Sequence, residues 1–254
     1  MKKDFWDMSW NPVWGCLNTC PYCYARRIAK RYAEQIAEKE INYLFQKENF
    51  PINQIPYIKS VIIKTLIIKA LKNFKPTWLE SNYVREFPKK SSIIFVNSMS
   101  DPAYWEQEWY EKIVKSITKN MQHTFVVLTK KPEVYKKYTF PHNTILGVTI
   151  TNYHDCIDRL SDEMLDMYEN LSNKLLISIE PIQNTFRMVY LESLKKIFDW
   201  IHVGQESGNR IYRIRATRGM IQPLFWLKEI PVFMKNNLAG IVPGMELRKE
   251  FPEL

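Results

Sequence analysis

From residue 91 onward the sequence repeats one pattern, a short β-branched or aromatic run that ends in polar residues and is usually followed by a helix-forming stretch. The runs are Ile93 to Val96, Phe125 to Leu128, Ile145 to Ile150, Leu175 to Ile179, Trp200 to Val203 and Val232 to Met234. They show little polar alternation, as expected of strands covered on both faces, and strands that alternate with helices pair in parallel. The class is therefore α/β. In barrels of parallel strands the active site gathers at the carboxyl ends. Those ends here are Asn97-Ser98-Met99-Ser100-Asp101, Thr129-Lys130-Lys131, Thr151-Asn152, Glu180, Gln205-Glu206-Ser207 and Lys235. Upstream, Phe5 to Trp10 is expected as a first strand, a cysteine-rich loop follows it, and Ala25 to Gln46 has the composition of a helix.

The length of 254 residues suits a single domain, 1–254. Prolines 51, 56, 76 and 88 punctuate residues 47–90, which are expected as an irregular insertion in which Ile58 to Leu71 is either a strand or a buried helix. Residues 209–254 hold a basic segment, the last strand and a tail. A composition of 46% hydrophobic and 25% charged residues excludes a disordered or fibrous chain. The start, Met1 to Trp6, has no signal-peptide core, and the most apolar later run is interrupted by Lys64 and Lys69, so a cytoplasmic location without membrane contact is expected. The net charge of +9 fits either attraction to polyanions or a solvated lysine-rich surface.

Three of the four cysteines fall within eight residues, Cys16-Leu17-Asn18-Thr19-Cys20-Pro21-Tyr22-Cys23. That spacing is unlike a disulfide framework and marks Cys16, Cys20 and Cys23 as metal ligands. Three thiolates from a short loop can ligate three irons of a four-iron cluster and leave the fourth open. A zinc site is the alternative. It needs a fourth ligand, from Cys156 or one of His123, His142, His154 and His202, and the sequence lacks a second knuckle pair at the usual spacing.

The Cys-x3-Cys-x2-Cys spacing, with Tyr22 before the last cysteine, resembles the radical S-adenosylmethionine superfamily. A longer set of segments looks like a phage and prophage family of radical-enzyme-like proteins. These are Ser9 to Cys16, Phe95 to Asp101, Val127 to Glu133, Leu146 to Thr149, Ser178 to Pro181 and Val203 to Gly208, which together span most of residues 9 to 208. The resemblance implies a partial (β/α)6-type barrel with an N-terminal cluster loop and an insertion before the second main strand. It also implies a [4Fe-4S] cluster, S-adenosyl-L-methionine and an external electron donor. In that superfamily the open iron is chelated by the methionine moiety, and electron transfer releases a 5′-deoxyadenosyl radical that abstracts hydrogen from the substrate. A phage origin would place the protein in host-cell cytoplasm.

The same resemblance suggests roles at the strand ends. The superfamily's Gly-Gly-Glu-Pro-like turn, which receives the methionine amino group, corresponds to Ser98-Met99-Ser100-Asp101-Pro102, which keeps acid and proline and loses both glycines. Ser98, Ser100 and Asp101 are expected either to meet the cofactor or to cap the helix near Trp105. Thr149, Thr151 and Asn152 are candidates for ribose or carboxylate. Glu180 should meet a ligand or a basic side chain, Glu206 is a pocket residue, and Tyr22 is a candidate to pack on adenine. Trp10, Trp14 and Tyr24 are expected to shield the cluster.

Substrate contacts are sought in Lys130 and in the densest basic segment, Arg210, Arg213, Arg215 and Arg218 beside Tyr212, since guanidinium forks suit phosphate and an aromatic stacks a base. A surface loop of ion-paired arginines is the plain alternative. The leading function is radical modification or repair of a nucleobase or nucleotide. The alternatives are a non-catalytic iron–sulfur or zinc protein that binds nucleic acid, and a radical enzyme acting on a peptide or small metabolite. His202 and Cys156 are expected to be buried core residues.

Overall fold

A computed structural model describes residues 4–47, 57–207 and 213–253. The apolar runs form one curled parallel sheet, a half-barrel whose strand order follows the chain: β1 (Met8–Ser9), β2 (Ile93–Phe95), β3 (Thr124–Thr129), β4 (Thr144–Ile150), β5 (Leu175–Ile179), β6 (Trp200–Val203) and β7 (Val232–Met234). Among the described residues this sheet has seven strands, one more than the six-stranded barrel the resemblance implies, and β1 is only two residues long.

Helices fill the crossovers. They are α1 (Tyr24–Lys47) and α2 (Tyr57–Lys72) before β2, α3 (Gln107–Thr118) before β3, α4 (Val134–Lys137) before β4, α5 (Tyr153–Arg159) and α6 (Asp162–Glu169) before β5, α7 (Met188–Leu194) before β6, and α8 (Arg218–Trp226) before β7. Among the described residues no helix is long and apolar enough to cross a membrane.

Successive side chains of a strand point to opposite faces, and here both faces are apolar. Ile94, Phe125, Val127, Leu146, Val148, Ile177, Ile201 and Val232 pack outward against Ile113, Tyr168, Leu191 and Ile221 of the helices. Ile93, Phe95, Val126, Ile145, Leu176, Trp200 and Phe233 point inward. Phe5 completes this inner cluster, with ring centroids 5.8 Å from Phe95 of β2, 5.3 Å from Trp200 of β6 and 6.4 Å from Phe233 of β7. One residue ahead of the sheet thus fills the interior between its two edges.

Within the insertion, Ile58 to Leu71 is neither a strand nor a buried helix. It lies in α2, with Val61, Ile62 and Leu66 exposed. Lysines at 59, 64, 69 and 72 interrupt the apolar surface, Ile63, Ile67, Ala70 and Leu71 fall on the covered face, and α2 pairs with α1 through Lys64–Glu38 and through Lys72–Glu34 at 2.9 Å. The buried carboxylate of Glu40 on α1 accepts from the backbone N–H groups of Glu80 (2.8 Å) and Ser81 (3.0 Å), capping the helical turn Glu80–Tyr83.

That insertion joins the start of the chain through a two-stranded antiparallel ribbon of Val13–Trp14 and Thr77–Trp78. The next residue, Gly15, has φ 103°, and a Cβ there would stand 2.0 Å from the Lys75 carbonyl oxygen. The glycine lets two backbones meet just ahead of the first cysteine. Gly15→Ala is expected to destabilise the chain by about 1–3 kcal/mol through backbone strain alone, with the carbonyl clash added, read as a lower urea midpoint. A midpoint unchanged from the parent would contradict this account of the turn.

Candidate functional site

The strands leave their apolar rows at one end, and the polar residues that follow enclose a cavity of about 490 Å³. Its walls come from the cysteine loop after β1 and from the ends of β2 to β7, and Asp4, Phe5 and Trp6 also border it. Cys16, Cys20, Cys23, Tyr22, Ser98, Ser100, Asp101, Lys130, Thr149, Glu180 and Glu206 all line it. Eleven residues picked from sequence therefore meet in one place.

The loop is shaped by its own backbone. The Asn18 N–H donates to Cys16 Sγ and the Arg26 N–H to Cys23 Sγ, both at 3.3 Å. Cys23 thus caps α1, meeting one of the donors that a helix N-terminus leaves free. Ala25, Ala29, Phe74 and Met99 form the apolar wall behind Cys16 and Cys23. Burial, with the Asp101 carboxylate adding to it, pushes the Cys16 thiol up to about 12, and burial also raises Cys23 against the pull of the Arg26 N–H.

Asp101 ties this loop to the sheet. Its Oδ1 accepts from Thr129 Oγ1 (2.7 Å) and the Ala103 N–H (3.1 Å), and its Oδ2 from Asn18 Nδ2 (2.9 Å) and the Lys130 N–H (3.0 Å). Asn18 is equally occupied, since its Oδ1 accepts from Tyr104 OH and its carbonyl from Arg26 Nη2, each at 2.9 Å. Asn97 extends the ladder between β2 and β3, its side chain accepting from the Leu128 N–H and donating to the Leu128 carbonyl. On the far side of the loop Tyr22 is hydrogen-bonded to Thr151, and burial followed by the neighbouring Cys20 raises its hydroxyl pKa. The Lys130 ammonium lies 5.5 Å from the Tyr22 ring centre, and burial lowers its pKa while Cys20 resists the shift.

Across the cavity Lys235 sits between two carboxylates, 3.0 Å from Glu180 Oε1 and 2.9 Å from Asp4 Oδ1, with its ammonium 5.1 Å from the Trp6 ring centre. Burial opposes the charge of Lys235, but the two acids outweigh it and raise the pKa. Gly204 makes room for the pair, because a Cβ there would come within 2.8 Å of Lys235 Cδ and 3.0 Å of Glu180 Oε1. Beneath them His202 is wholly buried, Nδ1 3.2 Å from Ser178 Oγ and Nε2 without a partner. Burial, then the positive Lys235 and Lys249, hold it neutral. Tyr24, whose hydroxyl donates to the Ser98 carbonyl at 2.9 Å, stands between the two sides. Burial and the Glu180 carboxylate push its pKa up to about 12.

Several expectations are revised. Asp101 has no acceptor position left for an incoming ammonium and instead anchors the loop. Asp101 also caps the short 3-10 turn Pro102–Tyr104. Ser98 Oγ donates to Asn11 Oδ1 (3.1 Å), and Ser100 Oγ accepts from Trp105 Nε1 (3.0 Å). Asn152 does not line the cavity; it caps α5 by accepting from the Asp155 N–H at 3.1 Å. Trp10 is buried in the outer core with its indole on the Asn82 and Tyr83 carbonyls, away from the cysteines. Trp14 and Tyr24 do lie beside them. Cys156 is buried, as expected. Arg215 and Arg218 are exposed and Arg213 half-buried, all outside the cavity lining, while Arg210 and Tyr212 fall outside the described residues.

Sequence reasoning passed over Asn18, Arg26, Arg27, Asp4 and Trp6, while Asn97 was among the strand-end residues expected at the site. Asn18 carried a signal, lying inside the cysteine motif. Arg27, whose Nη2 donates to the Ser207 carbonyl at 3.2 Å across the cavity rim, carried none.

Fold and site together define a parallel α/β half-barrel with a three-thiol loop opening into a cavity at its strand ends. The chain belongs to the family described as Protein of unknown function (DUF5131), whose model matches residues 2–219. No curated protein and no solved structure matches it.

Each carboxylate oxygen of Asp101 serves two donors, so the amide of Asp101→Asn always turns its NH2 toward two of them. The substitution should cost about 2–3 kcal/mol and raise amide exchange across residues 16–23 in the metal-free chain; unaltered exchange there would contradict the anchoring role. His202 makes a separate prediction. Its folded-state pKa is depressed, so below about pH 6.5 the unfolded chain takes up a proton that the folded one refuses. Stability is then lost as pH falls, by about 1.4 kcal/mol per pH unit for this one group. Urea titrations between pH 7.5 and 5.5 should give a shallower dependence for His202→Gln, and an equal slope would rule His202 out.

Proposed function

We propose that this chain is a radical S-adenosylmethionine enzyme of the half-barrel type that modifies or repairs a nucleobase, in nucleic acid or a free nucleotide. The observation that carries the proposal is the meeting of Cys16, Cys20 and Cys23 with the strand-end residues in one cavity, two of the sulfurs already accepting backbone N–H bonds. Such bonds and a partly buried setting are the levers by which proteins tune an iron–sulfur cluster.

The donor set suits the group. A four-iron cluster asks its three thiolates to bind separate irons, and Cys16, Cys20 and Cys23 all border the cavity. The cavity's volume falls within the range of small-molecule and cofactor sites, about 300–1,000 Å³. Cys16, Cys20 and Cys23 would hold the cluster. When bound with S-adenosylmethionine, such a cluster supplies reductive cleavage to a 5′-deoxyadenosyl radical.

The remaining residues bind, orient and exclude water. Asn18 and Asp101 fix the loop against the sheet before any ligand arrives. Lys130 brings positive charge beside Cys20, offsetting the charge of thiolate ligands. Thr149, Glu206, the free proton of Ser100 Oγ and the Ser98 lone pairs offer hydrogen bonds to the polar parts of the cofactor, and Tyr22 a ring face. Trp14, Phe74 and Met99 keep water from the thiols.

The nucleic-acid part of the proposal rests on position and charge. Ser207 lies at the rim, held by Arg27, and Arg213 stands six residues further on, a reach of at most about 20 Å. Arg215 and Arg218 are exposed beyond it. Base access would require a single strand or an extruded nucleotide.

Anaerobic reconstitution with iron and sulfide, then reduction in the presence of S-adenosylmethionine, should release 5′-deoxyadenosine, and Cys20→Ala should abolish it; bound zinc with no cleavage would sink the proposal. Binding to single-stranded DNA or RNA should weaken as salt rises. The salt dependence should be shallower in the Arg213→Ala, Arg215→Ala double variant, and an unchanged slope would remove these arginines from the interface.

A further inference from the structure

The cavity has two unlike sides. The side under β1 to β3 carries the thiols and Lys130. The side under β5 to β7 carries no sulfur and holds a built ion pair. Between the two sides Trp6, Phe95 of β2 and Leu128 of β3 form an apolar wall, with the Trp6 and Phe95 ring centroids 5.1 Å apart and Trp6 also 5.1 Å from the Lys235 ammonium, and both aromatics border the open space. The ion pair is Glu180–Lys235, with Asp4 as its outer member.

This pair is incompletely used by the protein. The Lys235 ammonium donates one hydrogen bond, to Glu180 Oε1, and is ion-paired with Asp4 Oδ1. Glu180 Oε1 takes the lysine, while Oε2 lies 3.8 Å from the neutral His202 ring. One charged donor and one charged acceptor therefore stand side by side at the cavity surface, next to an aromatic wall. Ser178 Oγ and Thr149, on the same inner face, add neutral hydroxyls. Gly204 leaves the space that the two side chains of the pair occupy.

We infer that this β5–β7 side is the substrate subsite, taking one planar heteroaromatic ring, a nucleobase, flat against Trp6 with its hydrogen-bonding edge toward Glu180 and Lys235. The inference rests on the nucleobase reading above and assigns it a place. Every unpaired nucleobase presents a donor beside an acceptor on its Watson–Crick edge, which matches a carboxylate beside an ammonium. Charge-assisted hydrogen bonds of this kind are the stronger sort, and stacking on an aromatic accepts any base. The ring would lie across the cavity from the thiols, with Tyr24 between the two sides.

The test needs no cluster. The full-length metal-free chain is dialysed to equilibrium against each of the four ribonucleosides, and separately against S-adenosylmethionine. At least one nucleoside should bind saturably, and Glu180→Gln and Trp6→Leu should each weaken it about tenfold or more, a loss of about 1.4 kcal/mol. Gly204→Ala, which disturbs the pair without removing either charge, should weaken it as well. Circular dichroism of each variant separates a lost site from a lost fold. The inference is overturned if no nucleoside binds the folded parent chain. It is also overturned if Glu180→Gln weakens S-adenosylmethionine as much as the nucleoside, which would give this side to the cofactor. Absence of 5′-deoxyadenosine in the reconstitution assay would count against the radical reading alone, so the two failures are distinct.

Discussion

The Asp101 carboxylate is the joint on which the site depends. It lies 4% exposed at the end of β2, where an unpaired charge would be costly, and it meets that cost with four donors from three parts of the chain. Two of those donors, the Thr129 hydroxyl and the Lys130 N–H, come from the end of β3. One is the Asn18 side chain in the middle of the cysteine loop. A loop of eight residues with three small thiols has little apolar area to hold it down, so its position against the sheet comes from this polar knot and from Gly15 beneath it, whose N–H donates to the Met99 carbonyl at 2.9 Å. Such fully satisfied buried networks fix one arrangement where an apolar contact would allow several.

The sheet supplies the rest by changing character at one row. Below it the inward residues are large and apolar, ending at Leu176, Trp200 and Phe233. Above it they are Thr149, Ser178, Glu180 and Lys235, which border the cavity. The register explains the boundary: Thr149 stands beside Ser178 and Ser178 beside His202, so β4, β5 and β6 have turned polar on the row where β7 still carries Phe233, beside His202. Small and polar residues thus fall on neighbouring strands at equal height. Gly147 helps one row lower, where Leu128 occupies the volume a side chain would take.

This layering decides what was legible in the sequence. The six apolar runs after residue 91 became β2 to β7 nearly residue for residue, because strands buried on both faces need unbroken apolar runs. The strand-end rule then gathered Lys130, Glu180, Glu206 and the cysteines into one cavity. It failed at Asn152, where the same residue type serves as a helix cap and sequence alone offers no way to choose. The Glu180–Lys235 pair joins residues 55 positions apart, and its third member, Asp4, precedes the first strand. Only the closing curl of the sheet brings them together. The α2 segment was ambiguous for a different reason: its β-branched residues suit a strand, and its exposure depends on where the neighbouring α1 lies.

The electrostatics of the two sides make different demands on what fills them. On the thiol side, burial raises Cys16 and Cys23, and the two backbone N–H groups with the start of α1 offset only part of that cost. Thiols held in this way ionise readily only when a cation replaces the proton, so metal uptake and proton release would be linked there. On the far side, Glu180 and Asp4 share one cation, Lys235. A charged ligand would have to compete with that lysine or with those acids, at the cost of breaking a semi-buried pair. A neutral ring that accepts one hydrogen bond from the pair and gives one back leaves it intact. The contrast between thiols whose protons a cation would replace and carboxylates already paired with a lysine suits the proposed metal on the first side and an uncharged planar group on the second.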